Sequence, residues 1–477
     1  MRIALIHYHL RRGGVTSVIM NQAQALMEAG EDVLVITGEG EASVPGIKRV
    51  LVEELRYDRD RETLPGTSGE ELTKRAKELA DAIVLAAKTH WGGQEADILH
   101  VHNPLIQKNS ALLRALHILQ EREPRLLLQN HDLAEDFRPD VYAKGEEYPI
   151  NCHYAVINNR DRSFLHRAGL KFEGLHLLPN EVRSINATPD LVRNRYLYPV
   201  RAIQRKNIGE AILFSLFIPK EKTVAITLPP TTERDIRIYR GWMEFVRELD
   251  LPVEFELGMN TSLEDVYGSA LGIITTSVKE GFGFSYLEPW IAGRTVIGRR
   301  INHVCRDFES SGVQFDSLYS SLNIPMVYIS STILRKKLEQ TMMSVYKRYG
   351  MDPPRYIIKM MGEDLASRDV MDFSRLDETT QGGIIRLLVS NQRVFRDIAD
   401  VNPFLRDLVN WKPDETVISL NRRRVLESYG REPIHKLLRE TYRAVLNTPV
   451  THKIVKSILL ELYLDPTQLS LVGVGND

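Results

Sequence analysis

The N-terminal segment of the chain has the pattern of a strand, a helix and a second strand in close succession. Arg2–Ile6 is a short apolar run, residues 15–28 carry apolar side chains at helical spacing, and Asp32–Thr37 is rich in β-branched residues. Strands joined through a helix in this way run parallel, because the crossover returns the chain to the end of the sheet where the first strand began. This unit therefore restricts the chain to α/β architectures built on parallel sheets.

The same alternation of strands and helices continues to about residue 185 and starts again near residue 195. It predicts two Rossmann-like, doubly wound domains over residues 1–185 and 195–400. Proline and mixed polar residues mark residues 180–194 as the linker. A chain of 477 residues is long enough for two or three domains. From about residue 310 the pattern predicts a helical insert, followed by C-terminal helices over residues 401–477 that pack back across the domains.

Charge and cysteine content exclude several classes of protein. With a formal net charge of -1, the chain has no overall field to attract nucleic acid or an acidic membrane surface, so neither is a predicted partner. Cys152 and Cys305 alone provide neither a disulfide framework nor a paired zinc motif, which is typical of a reducing compartment. The first ten residues do not have the pattern expected of a secretory leader, and no apolar run is long enough to span a membrane, so we expect a cytoplasmic protein.

Two glutamates in the segment Lys279–Thr295 mark the predicted ligand site. Glu280 and Glu288 are eight residues apart, and Glu280 comes just after Leu271–Ser277, a β-branched run that predicts a buried parallel strand. Ligands of open α/β sheets bind at the carboxyl ends of the strands, where the free N–H groups of a following helix favour an anion. The pattern therefore predicts a ligand that carries phosphate. A solvated helix start with acids near its dipole would look the same, and that alternative stays open.

The segment resembles the Glu-x7-Glu signature of the fourth glycosyltransferase family, whose retaining enzymes have two facing Rossmann-like domains in the GT-B fold. The likeness covers about residues 1–305 and, more weakly, 415–447. The chain keeps Gly293, Val296 and Ile297 of the family's tail to this motif but has Thr295 where the family usually has a proline before the valine. It implies an acceptor-binding N-terminal domain and a donor-binding C-terminal domain. It further implies that Glu280 contacts the transferred sugar and that Glu288 holds the ribose of the nucleotide. The loop residues implied to bind the donor are Gly281, Phe282, Gly283 and Phe284.

Arg201 and Lys206 lie five residues apart in the loop that joins the predicted strand Tyr196–Val200 to the next helix. They resemble the family's Arg and Lys pair, which implies that both bind the donor diphosphate. Breaking the bond between sugar and diphosphate moves negative charge onto the leaving group, and fixed cations stabilise that charge. Arg205 lies between the two and could take the place of either. A solvated basic loop at a domain edge is the alternative.

In the first domain, His131 and Asp132 follow a predicted strand, Arg125–Gln129. The family has a histidine at this place near the donor sugar, so the resemblance implies that role for His131, and Asp132 is expected at the acceptor. A neutral imidazole can donate or accept a hydrogen bond there. Taken alone, a histidine after a strand is more often structural. The other positions that the resemblance assigns to the donor are Gly13, Gly14 and Gly258. Asn180 resembles the family's Pro-Asn turn at the end of the N-terminal domain, and Tyr267 resembles a tyrosine before its last strand.

Arg11 and Arg12 precede the two glycines of the first loop. Because a guanidinium fork binds carboxylate or phosphate through two hydrogen bonds, we predict a small acidic or phosphorylated acceptor, such as a sugar phosphate or a glycerate. Surface arginines without a ligand are the alternative. The fingerprint G-x-G-x-x-G does not occur in this loop, which argues against a nicotinamide dehydrogenase. The residues with metal-ligand chemistry that we expect to be structural or solvated instead are His100, His102, Asp58 and Asp60.

Together these features predict a cytoplasmic retaining glycosyltransferase that moves a hexose from a nucleoside diphosphate sugar to the hydroxyl of a small polar acceptor. The resemblance implies retention and catalysis without bound metal or another cofactor. Two alternatives remain, a glycosyl phosphorylase of the same fold and a catalytically silent subunit that binds sugar nucleotides. A homo-oligomer formed through residues 310–400 is also open. The residues predicted to carry the reaction are Glu280, His131, Arg201 and Lys206.

Overall fold

The computed structural model describes residues 1–60, 68–122 and 125–474. Within these residues the chain forms two units. Unit 1 consists of Met1–Glu181 and Tyr429–Leu464, and unit 2 consists of Val182–Ser428 with the described residues from Asp465 onward. The break after Glu181 lies in the segment 180–194, which the sequence marks as a linker.

Unit 1 is built on a parallel sheet in which every pairing of neighbouring strands is parallel. Its elements in chain order are β1 (Arg2–His7), α1 (Gly14–Glu28), β2 (Asp32–Thr37), β3 (Lys48–Leu51), α2 (Gly69–His90), β4 (Ile98–His102), α3 (Leu112–Gln120), β5 (Arg125–Asn130), β6 (His153–Val156), α4 (Asn159–Arg167) and β7 (Leu175–Leu177). The strand order is β3-β2-β1-β4-β5-β6-β7.

The core of unit 1 lies on both faces of this sheet, because successive residues of a strand point to opposite sides. Ala4 and Ile6 of β1 pack on one face with α2 and α3, whereas Ile3 and Leu5 pack on the other face with α1. Strands buried on both faces are continuous apolar runs in the sequence. For this reason the predicted bounds of β1, α1 and β2 agree with the structure to within one residue.

Unit 2 contains a second parallel sheet in the order β10-β9-β8-β11-β12-β13 and a small sheet of β14 and β15. Its elements are β8 (Arg195–Arg201), α5 (Ile208–Phe214), β9 (Thr223–Leu228), α6 (Glu233–Glu248), β10 (Val253–Glu254), α7 (Leu263–Gly268), β11 (Ala270–Thr275), α8 (Glu288–Ile291), β12 (Val296–Arg299), α9 (Asn302–Ser310), β13 (Leu318–Tyr319), β14 (Asn323–Pro325), α10 (Ser331–Tyr349), α11 (Arg355–Ala366), β15 (Val370–Asp372), α12 (Glu378–Ser390), α13 (Gln392–Val401), α14 (Pro403–Asp407) and α15 (Glu415–Tyr429). The two sheets with their helices confirm the predicted α/β class.

Each parallel sheet has a point where the strand order reverses. In unit 2 the chain proceeds outward from β8 to β9 and β10, and then returns to place β11 on the other side of β8. In unit 1 the same reversal places β4 beside β1. The carboxyl ends of the two strands at such a switch point border a crevice where α/β proteins bind ligands. The candidate site of each unit therefore lies in the loops after these strands.

The C-terminal part of the chain is helical, as predicted, and returns to unit 1 with α16 (Arg431–Asn447) and α17 (Lys456–Tyr463). The region from 310 to 400 is not wholly helical, because β14 and β15 pair antiparallel with Ile324 opposite Met371. The sequence did not predict these two strands within the helical insert, since strands of three residues show no readable alternation. Among the described residues, no helix combines the length and apolar character needed to cross a membrane. The cytoplasmic location stays a prediction.

Candidate functional site

The loops after β8 and β11 are tied together at the switch point of unit 2. β8 leads through a 3-10 turn, Gln204–Lys206, into α5. The Tyr198 hydroxyl donates to the carbonyl oxygen of Lys206 at 2.8 Å, and Thr276 Oγ1 donates to the same oxygen at 3.1 Å. The N–H of Val278 donates to the carbonyl of Arg205 at 3.0 Å. These bonds fix the Lys206 loop against the residues that lead to Glu280.

Glu280 accepts contacts from two cations in this arrangement. The Lys206 ammonium group contacts Oε1, and Arg205 Nη1 lies 3.1 Å from Oε2. Arg205 Nη1 also donates to the carbonyl of Lys279 at 2.6 Å. Burial opposes ionisation of Glu280, but the charges of Lys206 and Arg205 outweigh it and lower the pKa to about 2. The site therefore presents a buried, ionised carboxylate held between two positive charges.

The structure places Arg205, and not Arg201, against Glu280. Arg201 ends β8 opposite Leu228, and its Nη1 donates to the carbonyl of Pro229 at 3.0 Å. The sequence had offered Arg205 as a substitute for its neighbours, and the geometry favours it as the arginine nearest the carboxylate. A role of Arg201 toward a donor diphosphate stays a prediction.

Glu288 is the first residue of α8, a helix of only four residues. Burial raises the pKa of this carboxyl to about 7, although Tyr267 and the charge of Lys206 oppose the shift. Near neutral pH the group therefore exchanges between the protonated and the ionised form. Such a carboxyl can both donate and accept hydrogen bonds, which suits a hydroxylated ligand.

Replacing Glu288 with glutamine is expected to reduce the pH dependence of stability. Between pH 4.5 and 7 the unfolded chain ionises this carboxyl while the folded chain keeps its proton, so the free energy of unfolding falls as pH rises. When the pH rises from 5 to 8, the free energy of unfolding of the wild type should fall by up to about 3 kcal/mol more than that of Glu288→Gln. Urea unfolding at both pH values measures the difference, and equal losses in the two proteins would contradict the raised pKa.

The glycine-rich loop before α8 is shaped partly by packing. Gly283 has a φ of 94°, and a Cβ atom there would lie 2.6 Å from Val304 Cγ1, so only glycine fits. Phe282 is buried, with its ring centroid 5.1 Å from that of Phe284. Gly281 is half-buried beside Glu280. Phe282 and Gly283 therefore have structural reasons to be present in addition to the donor contacts predicted for them.

Gly258 follows β10 in the chain and lies beside the carboxyl end of β9, the strand that pairs with β8. Its N–H donates to the carbonyl of Thr227 at 3.0 Å, and a Cβ atom at this position would come within 3.2 Å of Thr227 Cβ. The backbone of Gly258 is thus held close to the edge at which Lys206 lies. Its predicted contact with a nucleotide stays a prediction.

In unit 1, packing does not account for the paired glycines between β1 and α1. A Cβ atom on Gly14 would meet no atom within 4 Å, and one on Gly13 would meet only the carbonyl oxygen of Arg11 at 3.9 Å. Both glycines are exposed at the start of α1, as is Arg12. This open backbone at a helix N-terminus is compatible with the close approach of an anion.

His131 is held by the loop after the neighbouring strand β4. Asn103, in the left-handed region with a φ of 52°, accepts from the backbone N–H of His131 at 2.7 Å and from that of Asp132 at 3.3 Å. His131 Nε2 lies 3.0 Å from Nδ1 of His102. Burial lowers the pKa of His131 to about 4, so the imidazole is neutral at physiological pH. Arg138 Nη1 is 3.2 Å from Asp132 Oδ2.

Two cations lie against the ring of Tyr57 in unit 1 and two others affect it through their charge, and the sequence singled out only one of the four, Arg11. The Arg59 guanidinium carbon is 5.3 Å from the Tyr57 ring centroid and Lys108 Nζ is 5.9 Å from it. Burial raises the pKa of Tyr57 to about 12, and the positive charges of Arg59, Arg11 and Arg138 oppose that shift. We call Arg11, Arg59, Lys108 and Arg138 the Tyr57 cluster. Its members come from the loops after β1, β3, β4 and β5, at one edge of the sheet.

Acidic residues offset part of this charge. Arg11 contacts Glu39 and lies 2.8 Å from Asp60, which is also 3.6 Å from Arg59. The Arg11 and Arg59 side chains nevertheless remain 45% and 57% exposed, so solvent or a ligand can reach both. Surface ion pairs of this kind contribute little stability and exchange readily for a stronger anion.

The residues expected to be structural are accounted for by internal contacts. His100 and His102 are fully buried, and His100 Nδ1 lies 2.7 Å from the Tyr442 hydroxyl. Asp58 pairs with Arg75 at 2.7 Å. Within the described ranges, no group of three or more His, Cys, Asp or Glu side chains is arranged to hold a metal ion.

Several known proteins are similar to this chain in sequence or in structure. No family model matches the chain. It is similar to the mannosylglucosyl-3-phosphoglycerate synthase of Petrotoga mobilis, with 24% identity over 442 residues, which cover 85% of this chain and 84% of the relative. In structure it is similar to sucrose-phosphate synthase from Thermosynechococcus elongatus, with a TM-score of 0.54, 16% identity and coverage of 92% of this chain and 98% of the other. Anabaena HepE, solved in complex with UDP and glucose, matches with a TM-score of 0.53, 11% identity and coverage of 93% and 99%.

The chain has the GT-B fold. Its sequence relative and its structural neighbours are glycosyltransferases, which confirms the resemblance seen in the sequence. Glu280, after β11 at the switch point of unit 2, and His131, after β5 in unit 1, are thus placed on the scaffold that the sequence predicted.

Proposed function

We propose that the protein is a retaining glycosyltransferase that moves a hexose from a nucleoside diphosphate sugar to a hydroxyl of a small anionic acceptor. The contact of Glu280 with Lys206 and Arg205 at the switch point of unit 2 carries this proposal. A carboxylate accepts hydrogen bonds from sugar hydroxyls, and the two cations bind phosphate. The pairing of these chemistries in adjacent loops fits a ligand in which a sugar is joined to a diphosphate.

In the proposed reaction, the bond between the anomeric carbon and the diphosphate oxygen breaks while the acceptor hydroxyl attacks from the same face and gives its proton to the departing diphosphate. Negative charge grows on the departing diphosphate, and Lys206 with Arg205 or Arg201 stabilises it. Glu280 fixes the sugar, His131 offers it a neutral hydrogen-bonding group, and Glu288 holds the ribose. Because these cations are part of the chain, we propose that the reaction needs no bound metal, and we expect undiminished turnover in EDTA.

For the acceptor we propose a phosphoglycerate-type acid, either free or already glycosylated. The name of the Petrotoga mobilis relative contains a phosphoglycerate, which carries both a phosphate and a carboxylate. In this chain the Tyr57 cluster has the charge to bind such groups, because guanidinium and ammonium groups from separate loops converge on one ring. Arg12, exposed beside Gly13, and Asp132 complete the proposed acceptor surface.

A thermal-shift screen over UDP, GDP, ADP, CDP and dTDP tests the donor half of the proposal. One of these nucleotides is expected to raise the unfolding temperature strongly, since a ligand at 100 times its dissociation constant adds about 2.7 kcal/mol. The matching nucleoside, which lacks the diphosphate, should give almost no shift at the same concentration. Absence of a shift with all five diphosphates would count against the proposal.

The same screen leads to the experiment that separates the alternatives. The sugar conjugate of the nucleotide that binds best is incubated with 3-phosphoglycerate, and release of free nucleoside diphosphate is followed together with the new glycoside. Turnover of a sugar 1-phosphate instead would favour a phosphorylase. Binding without any turnover of the donor would favour a silent subunit.

A further inference from the structure

The region from residue 310 to 400 contacts the Lys206 loop at two places, through Gln204, whose Nε2 donates to Glu378 Oε1 at 2.7 Å, and through the buried Asn207. Asn207 follows Lys206 directly and has the left-handed conformation, with a φ of 51°. Its side chain is clamped from two sides. Gln381 Nε2 of α12 donates to Asn207 Oδ1 at 2.8 Å, and Asn207 Nδ2 donates to Glu210 Oε2 at 2.8 Å. The loop that carries Lys206 is therefore anchored to a helix far along the chain.

Glu210 is in turn fixed by a buried ionic network. Arg299 of β12 donates to both carboxylate oxygens of Glu210, at 2.9 and 2.7 Å, and to both oxygens of Asp372 of β15 at 2.7 Å. The Tyr319 hydroxyl also contacts Glu210. Glu210 is fully buried and Arg299 is 4% exposed. A buried charge with each of its hydrogen-bonding groups paired has one preferred geometry, so this network is a rigid support for the Asn207 side chain.

Three elements of the region from 310 to 400 contribute to the support of Asn207. They are β13 through Tyr319, β15 through Asp372 and α12 through Gln381. Gln381 Nε2 also donates to the carbonyls of Phe373 and Leu376, at 3.2 and 3.3 Å, which fixes the amide itself. A Cβ atom on Gly209 would come within 2.3 Å of Gln381 Oε1. The first turn of α5 and Gln381 therefore pack as closely as backbone and side chain allow.

We infer that Gln381 is a positioning residue for the donor diphosphate, acting through Asn207 on Lys206, and that residues 310–400 serve as the support of the donor loop. A left-handed asparagine is stable only when its surroundings favour that conformation. Release of its side chain would let the peptide after Lys206 relax and move the ammonium group. A displacement of about 1 Å at a positioning group can cost roughly 100-fold in rate. This inference rests on the proposed role of Lys206 in binding the diphosphate.

The test uses Gln381→Met, which keeps the side-chain volume but removes the donor to Asn207. With the nucleoside diphosphate that binds best in the screen above, we expect the dissociation constant measured by calorimetry to rise about tenfold, equal to about 1.4 kcal/mol. Asn207→Gly retains access to the left-handed backbone and loses both side-chain bonds, so we expect a similar loss. Ile385→Val, on the same helix and equally buried, is the control for reduced stability and should bind as the wild type does.

The double variant Gln381→Met/Asn207→Gly distinguishes positioning from a general loss of structure. If Gln381 acts through Asn207, the double variant binds only about tenfold more weakly than the wild type, whereas independent effects would multiply to about a hundredfold. Unchanged affinity in both single variants, or a hundredfold loss in the double variant, would overturn the inference. If Gln381→Met does not fold, affinity measured for Asn207→Gly alone decides. A wild type that binds none of the five diphosphates would instead overturn the proposed function, and the inference with it.

Discussion

Replacing Lys206 with methionine is expected to lower kcat by about 10²- to 10³-fold, because it removes a fixed positive charge where negative charge grows on the leaving diphosphate. The Lys206 side chain is 13% exposed and contacts Glu280, so its charge acts in surroundings that water screens weakly. Steady-state kinetics at saturating acceptor give kcat and the KM for the donor. The kcat should fall and the KM for the donor should rise, since the diphosphate is bound in the ground state as well.

The same substitution also weakens the fold, and the experiment must separate the two effects. Leaving a buried charge wholly unpaired costs about 3–5 kcal/mol, but Arg205 remains 3.1 Å from Glu280 and keeps the loss below that figure. Rates are therefore compared at a temperature where circular dichroism shows both proteins folded. Arg195→Met, which breaks the 2.9 Å pair of Arg195 with Glu254 at the opposite end of β8, is the matched control and should keep its kcat.

Separate substitutions of Arg201 and Arg205 test which of the two arginines binds the donor diphosphate. The resemblance assigns the diphosphate to Arg201, whereas the structure places Arg205 against Glu280. We expect Arg205→Met to raise the KM for the donor more than Arg201→Met does. If Lys206→Met and each of the two arginine variants kept full activity, none of these three cations would be needed to stabilise the leaving diphosphate. The role proposed for this loop would then be ruled out.

The sequence predicts long buried strands well and short ones poorly. β1 and β2 are continuous apolar runs, so their bounds follow from composition alone. The predicted strand Leu271–Ser277 is observed as β11, Ala270–Thr275, because threonine and serine at its end suit a strand and a loop equally. β13 has only two residues, and nothing in such a segment distinguishes it from a loop.

The contacts of the site depend on separations that a single sequence does not reveal. Lys206 and Glu280 are 74 residues apart, and only the resemblance brought them together before the structure did. The contact of Glu280 with Arg205 instead of Arg201 depends on the 3-10 turn at Gln204–Lys206, which no residue pattern in the sequence predicts. Asn207 and Gln381 are 174 residues apart, and neither stands in a recognisable motif.

The Tyr57 cluster was missed for a related reason, although a signal for it existed. Arg59, Lys108 and Arg138 each follow a different strand of one parallel sheet, and the carboxyl ends of such strands meet at one edge. Cations repeated after several strands therefore predict a basic surface even when they are far apart in sequence. Arg11 and Arg12 attracted attention because they are adjacent, whereas the wider pattern carries more charge.

Charge reversal at Arg59 is expected to raise the KM for an anionic acceptor by roughly 10- to 100-fold, since a charge-assisted hydrogen bond contributes about 1.5–3 kcal/mol. Arg59→Glu should leave the KM for the donor unchanged, because the proposed donor contacts of unit 2 are untouched. The side chain is 57% exposed, so the fold should tolerate the change. Kinetics with 3-phosphoglycerate and with glycerol, its uncharged analogue, measure the preference for the anion.

The matched control is Arg443→Glu, which makes the same change at an exposed position of α16. Val445 and Thr448, just beyond Arg443, line the same cavity as Arg125 and His153, which begin β5 and β6, whereas Arg59 belongs to the loops at the carboxyl edge. If the Tyr57 cluster binds the acceptor, only Arg59→Glu reduces the preference for 3-phosphoglycerate over glycerol. Equal effects of both variants would mean that overall charge attracts the acceptor, because a long-range field does not depend on which arginine is reversed. A wild type that uses glycerol as well as 3-phosphoglycerate would refute the anionic acceptor, since the cluster would then have no charged group to recognise.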